Sequence, residues 1–135
     1  MFDHFIAAQD QVYANVLREL RAGRKQSHWM WFIFPQVAGL GLSAMAARFA
    51  IDDVEQARAY WAQPVLGQRL RECLALVNDI EGRTAREIFG SPDDLKFLSC
   101  LSLFLLATGD DIFRQGLDKF YQGALDPMTV RLIGG

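Results

Sequence analysis

A chain of 135 residues, 51% hydrophobic and 22% charged, has the length and core-forming composition of one globular domain and argues against a second. Its net charge of -2 supplies no basic field of the kind that nucleic acid or an anionic membrane requires, so neither is an expected partner. Cys73 and Cys100 stand singly in apolar helical patterns with no CxxC spacing, and they read as small buried hydrophobes in a reducing compartment.

The opening residues Met1-Phe2-Asp3-His4-Phe5 carry an early acid and lack the basic and apolar regions of a secretion signal, so the expected location is cytoplasmic. Tyr13, Val16, Leu17 and Leu20 recur at i, i+3, i+4 and i+7 with Gly23 as a stop, which predicts a first helix over about residues 7–22. Asp52 and Glu55 resemble a capping box that starts a helix interrupted by Pro64, after which Leu70, Cys73, Leu74 and Val77 resume the helical spacing. Thr84 and Glu87 form a second capping box, and Gly90 ends the short helix it opens.

Ser91-Pro92-Asp93-Asp94 then reads as a serine N-cap, a proline at the first helical position and two acids against the positive end of the dipole. The helix that follows is apolar on nearly every face, which predicts burial on all sides. It falls short of the roughly 20 apolar residues of a membrane span, and its first turn is charged. Phe113, Leu117, Phe120 and Tyr121 give one more amphipathic helix, closed by Gly123 before a turn at Asp126-Pro127. With no repeat or linker, the expectation is an all-α single compact domain over residues 1–135, with about six to eight helices around a central apolar helix at about residues 92–108.

The densest chemistry lies in Lys25-Gln26-Ser27-His28-Trp29-Met30-Trp31-Phe32-Ile33-Phe34-Pro35-Gln36 and the following Gly39–Ser43 turn. Gly39, Gly41 and Ala44 match the spacing of a dinucleotide fingerprint, yet no parallel strands follow, and the position where an acid is needed holds Ala59, Tyr60 and Trp61. What survives is a glycine turn with Ser43 able to cap a short helix. Its N–H groups either receive an anion or simply complete a capped loop.

An imidazole can serve as base, acid or hydrogen-bond donor, which makes His28 the candidate base or acid, since His4 sits close to the terminus. No G-x-S-x-G, H-E-x-x-H or paired-histidine spacing accompanies it, so neither a metal nor another cofactor is expected. Trp29, Phe32 and Ile33 read as packing residues. Trp31 and Gln36 are equally readable as site or core, because Pro35 breaks the helix and turns Gln36 toward the loop. Lys25, three residues before His28, is placed to meet the same ligand.

The Lys25–Gln36 run with Gly39, Gly41 and Ser43, together with Gly90–Lys96 and the later Ser99, Leu103 and Phe104, resembles a widespread bacterial family of uncharacterised function, over essentially the whole chain. Members often carry the label calpastatin, which is discounted here because that inhibitor is largely disordered and this composition forms a core. The resemblance implies a small all-helical cytoplasmic protein and no established activity. Cys100 and Ser102 depart from the family pattern, where serine or methionine and then threonine are usual, so no role is assigned to hydroxyls there.

Three readings of the HWMWFIFPQ segment stand. In the first, a small anionic or nucleotide-like metabolite is held by Lys25, Gln36, Gly39, Gly41, Ser43 and Lys96 and stacked by Trp31, with His28 and Asp94 as candidate catalytic groups. In the second, the Trp/Phe cluster is an exposed anchor for a protein partner or for self-association. In the third, the whole run is core and a backbone carbonyl satisfies His28. Asp93 and Asp94 also have an ordinary role as acids in a first helical turn. The sequence leaves catalysis, ligand identity and oligomeric state open.

Overall fold

Helix signals in the sequence become helices along the whole chain. The computed structural model describes residues 1–134, in chain order α1 (Asp3–Arg21), α2 (Met30–Ile33), α3 (Ala44–Arg48), α4 (Val54–Ala62), α5 (Pro64–Asn78), α6 (Ala85–Phe89), α7 (Asp93–Thr108), α8 (Asp111–Tyr121) and α9 (Pro127–Gly134). The architecture is all-α, one compact unit, with nine helices among the described residues rather than six to eight. The short helix after Ser43 forms as read, as α3; the addition is α9, whose start reads as a turn in the sequence, and α2 is a single turn.

α7 is the centre, as its composition predicted. Phe97, Cys100, Leu101, Leu103 and Phe104 are buried, and α4, α6, α8 and α9 pack around it. Tyr60 of α4 lies with its ring centroid 5.5 Å from that of Phe104, and Phe113 of α8 stacks on the same ring at 5.5 Å. Burial is not complete on every face: Leu95 is 57% exposed and Leu106 42% exposed. Leu95 borders a cleft described below.

Local capping follows the expected chemistry in some places and departs in others. The Thr84/Glu87 box forms with both hydrogen bonds, at 3.1 and 2.8 Å. Asp53, not Asp52, caps α4, accepting from Gln56 N–H at 2.8 Å, while Asp52 N–H donates to the Gln56 side chain. Ser91 does not cap α7: Pro92 holds that position, and the Gly90 and Pro92 carbonyls accept from Asp94, Leu95 and Lys96 N–H. α1 begins at Asp3, earlier than its periodicity indicated, because Phe2 and Phe5 bury against Tyr60 and anchor the first turn. Pro64 separates two helices rather than kinking one; Gln63 Oε1 caps the second by accepting from Leu66 N–H at 2.8 Å.

Between α2 and α4 the chain makes a loop carrying α3, and its two ends are pinned together. Val37 and Ile51 form an isolated parallel bridge, with Ala38 N–H donating to the Ile51 carbonyl at 2.8 Å and Ile51 N–H to the Gln36 carbonyl at 2.9 Å. Among the described residues, no helix is long and apolar enough to cross a membrane. Both cysteines are buried free thiols, and burial pushes the Cys73 thiol up to about 12.

Candidate functional site

A buried acid organises the segment that the sequence singled out. Glu19, 5% exposed near the end of α1, accepts hydrogen bonds from Gln26 N–H, Ser27 N–H and Trp29 Nε1 through Oε1 at 2.8, 3.1 and 2.9 Å, and from Ser27 Oγ through Oε2. Burial alone pushes this carboxyl upward, but the four donors together outweigh it and hold the pKa below the ordinary carboxylate value. Trp29 is thereby locked into the core with its one polar atom satisfied.

Asp93, in the first turn of α7, ties two lysines together. Its Oδ2 lies 2.8 Å from Lys25 Nζ and its Oδ1 3.5 Å from Lys96 Nζ. The Lys25 ammonium also lies over the Trp29 ring at 5.1 Å, and the Lys96 ammonium over the Trp31 ring at 5.2 Å. Lys25 is closed off, its side chain only 8% exposed, whereas Lys96 is the more open and the more weakly paired of the two. Asp93 thus couples a structural lysine to one at the surface.

Beyond Trp31 the chain turns outward. Phe34 packs edge-on against Phe89 and Phe97, Pro35 is buried, and Gln36 emerges half-buried with a side-chain amide that makes no hydrogen bond to the described residues. Gly39 has a φ of +101°, which favours glycine, and the Leu132 methyls of α9 lie against it. A Cβ on Gly41 would stand 2.4 Å from the Cβ of Ala46, so only glycine lets the loop close on α3. Ser43 caps that helix, its Oγ accepting from Ala46 N–H at 3.1 Å.

Two adjoining cavities result, with Gln36 and Gly41 common to both. One, of about 200 Å³, is lined by Trp31, Gln36, Gly39, Gly41, Phe49 and Asp52 among others. The other, of about 350 Å³, lies toward α7 and α9 and is lined by Gln36, Gly41, Leu95, Lys96, Ser99 and Asp126 among others. The fold therefore brings together Trp31, Gln36, Gly39, Gly41 and Lys96. It does not bring His28 to them: the imidazole is exposed and lines neither cavity. Lys25 reaches the cleft only through Asp93, and Ser43, whose Oγ accepts in the α3 cap, lines neither cavity. Asp94 lines neither cavity; its Oδ1 is buried without a hydrogen-bond partner, and its carbonyl accepts from the Tyr121 hydroxyl.

Of the aromatic run, Trp29, Phe32, Ile33 and Phe34 are core, leaving Trp31 half-buried at the rim. The sequence reading missed Glu19, Asp93 as a bridge, and Asp126. A signal existed for Glu19: it lies three residues after Val16 and beside Leu20, a charge on the apolar stripe of α1.

The fold and cleft define a small all-helical protein with a two-chambered surface site. The chain belongs to the family described as a protein of unknown function, DUF1810, whose model matches residues 1–133. It is similar to the crystal structure of the conserved hypothetical protein Rv1873 from Mycobacterium tuberculosis, at 49% identity over 98% of this chain and 96% of that one, with a TM-score of 0.97. No curated protein matches it.

Proposed function

We propose that this chain binds a small anionic or nucleotide-like metabolite in the cleft at Gln36 and Gly41, with its anionic group on Lys96 and any planar group beside Trp31. The observation that carries this reading is the convergence of Trp31, Gln36, Gly39, Gly41 and Lys96 on two adjoining cavities. Lys96, not Lys25, is the anion receptor: Asp93 holds Lys25 at 2.8 Å and Lys96 at only 3.5 Å, so a ligand oxyanion competes for Lys96 at little cost. The residues lining both cavities include neither histidine nor cysteine, which favours binding over catalysis. Burial of Trp29, Phe32 and Phe34 leaves little of the aromatic cluster to anchor a protein partner. Buried unpaired thiols support residence in the cytoplasm.

A thermal-shift panel of nucleoside monophosphates, sugar phosphates, carboxylates and amino acids tests this reading. A ligand at 100 times its dissociation constant stabilises by about 2.7 kcal/mol, a rise of several degrees for a domain of this size. The rise is expected to disappear in Lys96→Ala and in Trp31→Ala and to persist in His28→Ala. No shift across the panel, or a shift kept in Lys96→Ala and lost in His28→Ala, would overturn it.

A further inference from the structure

We infer that the ligand of this cleft carries an ammonium group alongside its anionic group, a zwitterion of the α-amino-acid type. This rests on the cleft reading above and narrows it. The new element is Asp126, which lines the larger cavity together with Lys96 and Gln36.

Its carboxylate is held from one side only. Oδ2 accepts from Ser99 Oγ at 3.1 Å, Thr129 Oγ1 at 2.6 Å and Thr129 N–H at 3.1 Å, and the Asp126 N–H donates to Ser102 Oγ at 2.8 Å. Ser99, Ser102 and Thr129 are all buried, so the carboxylate is fixed by packed groups of α7 and α9. Oδ1 accepts nothing from the described residues, is not among the buried unpartnered atoms, and Asp126 forms no ion pair there. A fixed carboxylate with one solvent-facing oxygen is a receptor for a protonated amine.

The charge of the chamber points the same way. Lys96 and Asp126 give it one cation and one anion, and the neighbouring chamber adds only Asp52. A polyanion such as a nucleoside triphosphate would meet like charge in both, whereas a molecule of no net charge with a carboxylate and an ammonium meets a complement at each end. The Gln36 amide, unengaged and common to both chambers, can donate to the ligand carboxylate or accept from its ammonium.

Affinities of the free amino acids, their N-acetyl derivatives and AMP should be measured by calorimetry for the full chain and for Asp126→Asn and Lys96→Met. Asparagine keeps the cap on α9, so the first variant retains the fold-supporting bond. At least one free amino acid is expected to bind, with its N-acetyl derivative at least about tenfold weaker, the size of one lost charge-assisted hydrogen bond. Asp126→Asn should remove that discrimination, and Lys96→Met should weaken both forms. If Asp126→Asn fails to fold, the wild-type comparison of free and acetylated probes decides alone. Equal binding of the two forms overturns the inference. Binding of AMP with no amino acid bound also overturns it while leaving the cleft reading standing, and no binding by any probe removes both.

Discussion

Glu19→Ala is expected to lower stability by about 3 kcal/mol or more, because it strands several buried or half-buried donors at once. Trp29 would lose its indole partner inside the core, and the Gln26 and Ser27 N–H groups would lose the acceptor that shapes their turn. Thermal or urea unfolding measures the loss directly. A pH dependence accompanies it. Because the folded pKa of Glu19 is lowered, its contribution is fully present above the unfolded carboxylate value of about 4.3 and fades as pH falls through the folded value. Glu19→Gln should therefore flatten the acid side of the stability profile relative to wild type. An unchanged profile would show that the buried carboxylate does not hold the segment together.

Gly67→Ala should destabilise by about 2–4 kcal/mol, against the ordinary rule that alanine improves a helix interior by about 1 kcal/mol over glycine. The reason is spatial. A Cβ at Gly67 would stand 2.2 Å from the Trp61 carbonyl oxygen, a backbone atom that cannot swing away. The corner between α4 and α5 would have to open, disturbing Trp61 where it meets Phe113 at 4.9 Å and the Arg71 guanidinium at 4.5 Å. Chemical denaturation, with near-ultraviolet circular dichroism following the tryptophans, checks both the loss and its location. A neutral or stabilising outcome would mean that the corner is slack.

What was legible in the sequence was local. The Thr84/Glu87 box and the Gly23 stop each depend on residues within a turn or two of one another and appear as read, and α7 is central as its composition predicts, although Leu95 and Leu106 stay exposed. Ser91 failed as a cap because the Gly90 carbonyl took the Asp94 N–H that a Ser91 cap would satisfy. α9 was missed because Asp126-Pro127 is ambiguous: the same pair makes a turn or, as here, an N-cap and first helical residue.

The cleft was half legible. Trp31, Gln36, Gly39 and Gly41 are close in sequence, so the motif outlined one wall, and Lys96 came from the Gly90–Lys96 segment that carries part of the family resemblance. The pairing of Lys25 with Asp93 is tertiary, and it diverts that lysine from the cleft. Nothing in local spacing distinguishes a lysine that will meet a ligand from one that a distant acid will claim.

The most direct test of the cleft is a nuclear magnetic resonance titration of the nitrogen-15-labelled chain with the amino acids and nucleoside monophosphates. The account predicts shifts centred on the Trp31 indole N–H, the Gln36 side-chain amide and the backbone amides of Gly39, Gly41, Lys96 and Asp126, with the Trp29 indole unmoved on Glu19. Shifts centred on His28, or none at millimolar probe, would contradict it.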